Sequence, residues 1–193
     1  MTAVFAAALH PADSQQVFRA VLDALARPGT AMSLPEGPLR TLAPAVVPVF
    51  ALADLGTGVC VLENTDDRWG DIVTTATNAP LWPAELARLV AAVRPVTEAE
   101  VRDFARGTAL APGTAALVSL AVPDVHGGAR RWRMTGPGIP GETTLSPLGL
   151  PPGFVAARAE AVAGYPAGID VLLVTRDGHV VGLPRTTTIN EES

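Results

Sequence analysis

Arg185, Thr186 and Thr187 stand together in LPRTT (183–187), where an apolar run ends. A guanidinium offers a planar fork of donors and the two hydroxyls add to it, so this triplet suits a phosphate, a phosphonate or a partner's carboxylate. The same residues at a plain strand end would make only a charged surface turn. A second anion-seeking feature is Thr135-Gly136-Pro137-Gly138. Gly136 and Gly138 let backbone N–H groups converge on an anion, although Pro137 removes one donor. A tight turn without a ligand is the alternative. Asp170 lies within the apolar run IDVLL (169–173), where strand propensity disfavours it. Near a strand start it can point outward or cap a backbone turn. If buried it needs a partner, and Arg185, on the returning arm of the same hairpin, would supply a bidentate one.

Other chemistries are poorly provided for. All 14 basic side chains are arginine, and there is no lysine. Schiff-base chemistry, including that of pyridoxal phosphate, needs a lysine amine, and so does the Gly-x-x-x-x-Gly-Lys loop of one large nucleotidase class. His10, His126 and His179 lie far apart and form no paired metal-ligand motif, so they read as surface or loop residues and no metal is expected. Ser119 and Ser146 are not set in a Gly-x-Ser-x-Gly elbow. Cys60, the one cysteine, sits in VCVL and reads as a small buried hydrophobe. No catalytic residue is assigned.

The elements that would position these groups are legible in part. Ile169–Thr175, the Asp177-Gly178 turn and Val180–Leu183 read as a β-hairpin. Ser14 is expected to cap a helix with Val17, Val21 and Leu25 at helical spacing, Phe18 and Leu22 beside them, and Pro28-Gly29 at its end. Pro44 is expected to open a helix through Asp54, with Val46, Val49, Phe50 and Ala53 facing inward, although Pro48 weakens it. Residues 58–63 read as a buried strand and 68–77 as a short helix closed by Asn78 and Pro80. Thr97 and Glu100 form a capping box for a helix that Gly107 closes. Residues 114–122 are expected to be a strand, with Gly127-Gly128 turning into a second over 129–135. Pro152 is expected to open a helix through about Ala163. The stretch 83–93 opens on a proline and has helical spacing at Leu86, Leu89, Val90 and Val93, which reads locally as a helix.

Helices alternate with strands early and strands pair by hairpins late, which implies a three-layer mixed α/β sheet. Proline and glycine, 18 of each, are spread along all 193 residues, so the chain is read as a single domain over 1–193. The N-terminal MTAVFAAALH lacks the basic start of a secretory signal, and the first ten or so residues are read as an extended lead-in. No apolar run approaches the roughly 18 residues of a membrane-spanning helix. A net charge of −5 argues against a nucleic-acid partner, and a cytoplasmic location fits. The mean hydropathy of +0.30 points to an oligomer, with Trp69, Trp82, Trp132 and Phe154 as aromatics for its interfaces.

A resemblance covers most of the chain. PG (28–29), TNAP (77–80), GTALAP (107–112), TGPGI (135–139), LPPGF (150–154), GID (168–170) and LPRTT (183–187), in this order and spacing, resemble the PhnH family of the bacterial carbon–phosphorus lyase system. The resemblance implies a strand at 87–92, favoured over the local helical spacing although both readings stay open from sequence, and a fold like the large domain of the pyridoxal-phosphate-dependent transferases, without that cofactor. It implies a non-autonomous subunit that supports formation of ribose 1-alkylphosphonate 5-triphosphate, an alkylphosphonate displacing adenine from ATP. PhnG, PhnI, PhnJ and PhnL would be its partners, with a homodimer in isolation. The sequence leaves two other readings open: a free-standing enzyme with an anion pocket built from 135–138 and 185–187, or a pure scaffold without a ligand site.

Overall fold

In the computed structural model, described here for residues 9–192, the Asp177-Gly178 turn folds β7 (Asp170–Thr175) back onto β8 (His179–Leu183). Val171 stands opposite Leu183, and Val174 opposite Val180. The hairpin is the middle of a six-stranded sheet. On one side β8 pairs antiparallel with β1 (Ala31–Ser33). On the other, β7 runs parallel to β4 (Leu117–Val122), then β3 (Leu89–Ala92), then β2 (Val59–Leu62). The order is β1-β8-β7-β4-β3-β2. Within 83–93, residues 84–86 form a turn and the strand β3 takes only 89–92, two residues later than the expected start at 87; its four residues are all buried. Parallel strands covered on both faces read as continuous apolar runs rather than alternating ones, which is why local helical spacing was misleading there.

The sheet separates two apolar cores. Leu172 and Val174 face α1 (Pro11–Ala26), α3 (Val46–Leu52) and α4 (Trp69–Thr77), through Val17, Val21, Val46, Val49 and Val73. Val171 and Leu173 face α5 (Glu98–Asp103) and α6 (Phe154–Val162), through Val101, Phe154 and Ala157. A short helix, α2 (Glu36–Leu39), lies between β1 and α3. Burying each such Leu or Val side chain contributes about 1.5–3 kcal/mol, so the two-sided burial of β7 is the largest local reason the hairpin holds its place. A second sheet, ordered β6-β5-β9, adds to the core on the α6 side: β5 (Arg131–Thr135), β6 (Thr143–Leu145) and β9 (Thr188–Glu192).

Several expectations are corrected. The cap of α1 is His10, whose Nδ1 accepts from the Ala12 N–H at 3.3 Å; Pro11 suits the first helical position, so Ser14 is already inside the helix. Phe18 and Leu22 do not pack beside Val17 and Val21, whose face is completed by Ala20 and Ala24; they are 51% and 55% exposed. The helix at 44–54 is confined to 46–52, with Pro48 in its first turn. Helix α5 ends at Asp103, a turn before Gly107. Strand β4 starts three residues late, because Pro112–Thr114 forms a 3-10 turn. Strand β5 does not pair with β4 across Gly127-Gly128 but leaves the main sheet to pair with β6 and β9. Trp132 and Phe154 are no interface aromatics: both are buried and stack face to face at 5.6 Å. Trp69 is partly buried, and Trp82 alone of the four is exposed. The lead-in of the first ten residues lies, up to residue 8, outside the described residues.

Candidate functional site

The β7–β8 register decides the geometry of LPRTT. Since Leu183 faces Val171, the chain leaving β8 passes the first residue of β7, which is Asp170. Arg185 meets it twice. The Arg185 backbone N–H donates to Asp170 Oδ1 at 2.8 Å, and the guanidinium donates through Nε to both carboxylate oxygens at 3.2 Å and through Nη2 to Oδ2 at 2.5 Å. Nη1 donates to the carbonyls of Pro112 (3.2 Å) and Pro166 (3.0 Å). All three guanidinium nitrogens are thus occupied, in a setting where the two side chains are 16% and 24% exposed. The bidentate geometry is the strong form of the pair. Its chemistry as it stands is that of a clasp joining the start of β7 and the loops at 112 and 166 to the segment after β8.

A second arginine completes this region. Arg158 lies on the buried stripe of α6 with Phe154, Ala157 and Ala161, and is 2% exposed. Its Nη1 donates to the Thr187 carbonyl at 3.1 Å; its Nη2 donates to those of Pro184 at 2.6 Å and Leu183 at 3.4 Å. Three carbonyls of the LPRTT backbone thus hang on one guanidinium. Burial pulls its pKa down to about 10, and the negative charge of Asp170 opposes that fall. Its Nε and the buried Thr187 Oγ1 have no hydrogen-bond partner among the described residues. Sequence reasoning missed Arg158. The available signal was an arginine at i+4 from Phe154 and i−3 from Ala161, inside an otherwise apolar stripe.

The two anion-seeking stretches do come together. Thr135 pairs with Thr188 in the β5–β9 ladder, which lays TGPG alongside Thr186 and Thr187. The space between them is filled by backbone. A Cβ on Gly136 would stand 2.9 Å from the Thr186 carbonyl oxygen, and one on Gly138, at φ +81°, would stand 2.2 Å from that of Ala26. The turn closes on itself, with the Ile139 N–H donating to the Gly136 carbonyl at 3.1 Å. Thr186 is exposed, while Thr187 is buried. An open cavity of about 400 Å³ adjoins the clasp at the amino ends of the parallel strands, where Asp170 and Arg185 share its wall with Thr57 and Arg88.

Of the three histidines, His10 stands apart, while His126 and His179 line one groove. His10 caps α1, His126 donates its backbone N–H to Asp124 Oδ1 at 2.9 Å, and His179 Nε2 lies 3.3 Å from Asp177 Oδ2. Among the described residues no three histidine, cysteine or acidic side chains gather as a metal set. None of the helices described is long and apolar enough to cross a membrane.

Comparison with known proteins places this geometry in context. The family model described as bacterial phosphonate metabolism protein (PhnH) matches residues 5–190. A protein of Rhizobium meliloti (strain 1021) named alpha-D-ribose 1-methylphosphonate 5-triphosphate synthase subunit PhnH is 29% identical, over 93% of this chain and 92% of its own. A protein of Stutzerimonas stutzeri named putative C-P lyase subunit protein HtxG is 31% identical, over 91% of this chain and 85% of its own.

Proposed function

Because this chain belongs to the PhnH family of bacterial phosphonate metabolism proteins, we propose that it is a non-autonomous subunit of a carbon–phosphorus lyase assembly. In that assembly it supports formation of ribose 1-methylphosphonate 5-triphosphate from ATP and methylphosphonate. The observation that carries this reading is the family match from residue 5 to residue 190, joined by two relatives whose names both say subunit. PhnG, PhnI, PhnJ and PhnL are the partners in this reading, with a homodimer in isolation and a cytoplasmic location. The motif LPRTT fits a supporting role: Asp170 and Arg185 spend their charges on each other and on two loops. In this reading Gly136, Gly138 and Thr187 shape the joint between the two sheets, and Thr186, with the rims of Asp170 and Arg185, presents it to a partner or to an anion. Four parallel strands between helices support a likeness in architecture to the large domain of the pyridoxal-phosphate-dependent transferases. The chain has no lysine for that cofactor's linkage.

Two measurements test the proposal. Deletion of the gene is expected to abolish growth on methylphosphonate as sole phosphorus source, restored by the wild-type chain, and tagged protein from phosphate-starved cells is expected to bring down other lyase subunits. The purified chain alone, given ATP and methylphosphonate, is expected to release no adenine. Adenine release by the chain alone would establish a free-standing enzyme instead, and normal growth of the deletion strain would remove the pathway assignment.

A further inference from the structure

β2, β3, β4 and β7 lie side by side in the main sheet, and a separate loop leads into the amino end of each. All four loops expose large apolar side chains. The loop before β2 exposes Leu55, and the one before β3 exposes Leu81, Trp82 and Leu86. The loop before β4 exposes Leu110, and the one before β7 exposes Tyr165. Of the nine large apolar side chains exposed among the described residues, six therefore gather at one end of one sheet. Neighbouring strands are about 4.8 Å apart, so the row is on the order of 15 Å across. Single exposed leucines need no explanation, but an apolar face collected from four loops marks a contact surface.

These loops are fixed before anything binds. Leu110, 99% exposed, is at the tip of a two-residue turn in which Thr108 and Ala111 donate to each other's carbonyls at 3.4 and 3.1 Å. The Ala167 N–H closes the turn at Tyr165 on the Gly164 carbonyl at 3.0 Å, and the Thr57 N–H closes that at Leu55 on the Asp54 carbonyl at 3.1 Å. The Leu86 N–H donates to the Pro83 carbonyl at 3.0 Å, and the Trp82 ring lies against Gly58, where a Cβ would collide with it. The clasp joins two of the loops: Arg185 Nη1 holds the carbonyls of Pro112, two residues after Leu110, and of Pro166, next to Tyr165. Apolar side chains on rigid loops lose little freedom on binding, which is what a strong contact requires. Among them is the cavity of about 400 Å³ beside the clasp, lined by Leu25, Leu52 and Leu117. Of the charged groups in its wall, Asp170 and Arg185 neutralise one another, whereas Arg88 is exposed and makes no ion pair with any described residue. Asp54 is close enough to feel the charge of Arg88 but turns into its own loop, accepting from the Gly56 N–H at 3.0 Å and the Thr57 hydroxyl at 2.6 Å. Glu85 acts on Cys60, which packs with the core on the other side of the sheet.

We propose that this end of the sheet is the face by which the chain docks onto a different subunit of its assembly, one whose surface is apolar and places a carboxylate on Arg88. The proposal rests on the subunit reading above. A second copy of this chain is the poorer occupant, because a two-fold contact centred on the cavity would set Arg88 against Arg88. The clasp then has a purpose beyond stability, since it holds Leu110 and Tyr165 in one fixed relation.

The test is capture by the tagged full chain from phosphate-starved cells, with the captured proteins identified by mass spectrometry. Leu110→Asp and Arg88→Glu, both at exposed positions, are each expected to lower the yield of other lyase subunits about tenfold or more. Leu148→Asp, in the loop that follows β6 and meets Asp124 beyond the carboxyl end of β4, is expected to capture as wild type does. The purified variants are expected to keep the wild-type mass by light scattering and the wild-type melting temperature. Capture by wild type that either Leu110→Asp or Arg88→Glu retains in full would overturn the docking face and leave the subunit reading standing. A variant whose own oligomeric mass falls would assign the face to a second copy and overturn the proposal. Wild-type chain that captures no lyase subunit would remove the subunit reading, and the proposal with it. If one of the two variants melts early, Tyr165→Asp on the neighbouring loop takes its place, with the same outcomes.

Discussion

Arg185 holds Asp170 with its side chain and its backbone at once, so the pair fixes both the rotamer of the arginine and the path of the chain that carries it. Substituting the side chain leaves the backbone N–H bond and removes everything else. The carboxylate then loses its counter-charge while the Pro112 and Pro166 carbonyls lose their donor.

Arg185→Ala is expected to destabilise the protein by about 2–3 kcal/mol, the cost of removing charge-assisted hydrogen bonds from a partly buried carboxylate. In a chain of this size that lowers the melting temperature by roughly 4–12 °C. Arg130→Ala is the control: Arg130 is 54% exposed, pairs with Glu191 at 3.2 Å, and is expected to cost about 1 kcal/mol or less. Arg185→Lys is expected to recover only part of the loss, since one ammonium cannot serve a carboxylate and two carbonyls in the guanidinium's plane. Growth on methylphosphonate measured beside the thermal melt separates the clasp from a binding role. Growth that fails while the melt is unchanged would mean Arg185 acts on a ligand or partner and not as a clasp.

Gly138→Ala and Gly141→Ala form a second pair. Both residues have φ near +80°, so both substitutions strain the backbone. Only at Gly138 does the new methyl meet a neighbour, the Ala26 carbonyl oxygen at 2.2 Å; at Gly141 nothing lies within 4 Å. Gly141→Ala is expected to cost about 1 kcal/mol, and Gly138→Ala at least about twice that, because the TGPG turn must pull away from the end of α1. Urea unfolding of the two variants checks the difference. Equal costs would show that the turn is not pressed against the helix.

What the sequence made legible was local. The Asp-Gly turn specified the β7–β8 hairpin, and the hairpin specified that Asp170 and Arg185 could meet. The capping box of Thr97 and Glu100 was readable because both partners lie within four residues, and both of its bonds are present. The unread parts depend on long-range choices. β6 and β9 are short, without an apolar alternation, and owe their existence to pairing with β5. Trp132 and Phe154 carry no mark of which partner each will find, and they found one another. Arg158 was hidden for another reason: its neighbours form an alanine-rich helix whose sequence marks no clear apolar face, and only the carbonyls of residues 183, 184 and 187 explain an arginine on the buried side.

Cys60 is expected to be unreactive in the folded protein. Burial first, and then the charges of Glu85 and Glu100, push its thiol from an ordinary 9.0 up to about 11. The thiolate is the nucleophile, so at pH 8 its reaction with a disulfide reagent is expected to be about a hundredfold slower than in the urea-unfolded chain. The rate is expected to keep rising past pH 9 instead of levelling off. Equal rates in the folded and unfolded chains would show that β2 leaves the thiol open to solvent.

Glu100 gives the chain an acid sensitivity whose direction follows from its contacts. Its hydrogen bond from Arg94, at 2.6 Å, is the main force holding its carboxyl near pKa 2 in place of the ordinary 4.5. Partial burial opposes that shift, and the Thr97 N–H and hydroxyl add to it. The folded value lies below the unfolded one, so the group contributes stability that is complete above pH 4.5 and is lost as the pH falls towards 2. Glu100→Gln keeps an oxygen to accept the Thr97 N–H but gives up the charge facing Arg94. The variant is expected to be less stable than wild type at pH 7, and the difference between them is expected to shrink steadily across that same acid window. Subtracting the two curves removes the titration of the other carboxylates, which both proteins share. Urea unfolding at a series of pH values measures it. A difference that stays constant through the window would mean that Glu100 supports α5 as a hydrogen-bonding cap alone and that its charge on Arg94 adds nothing.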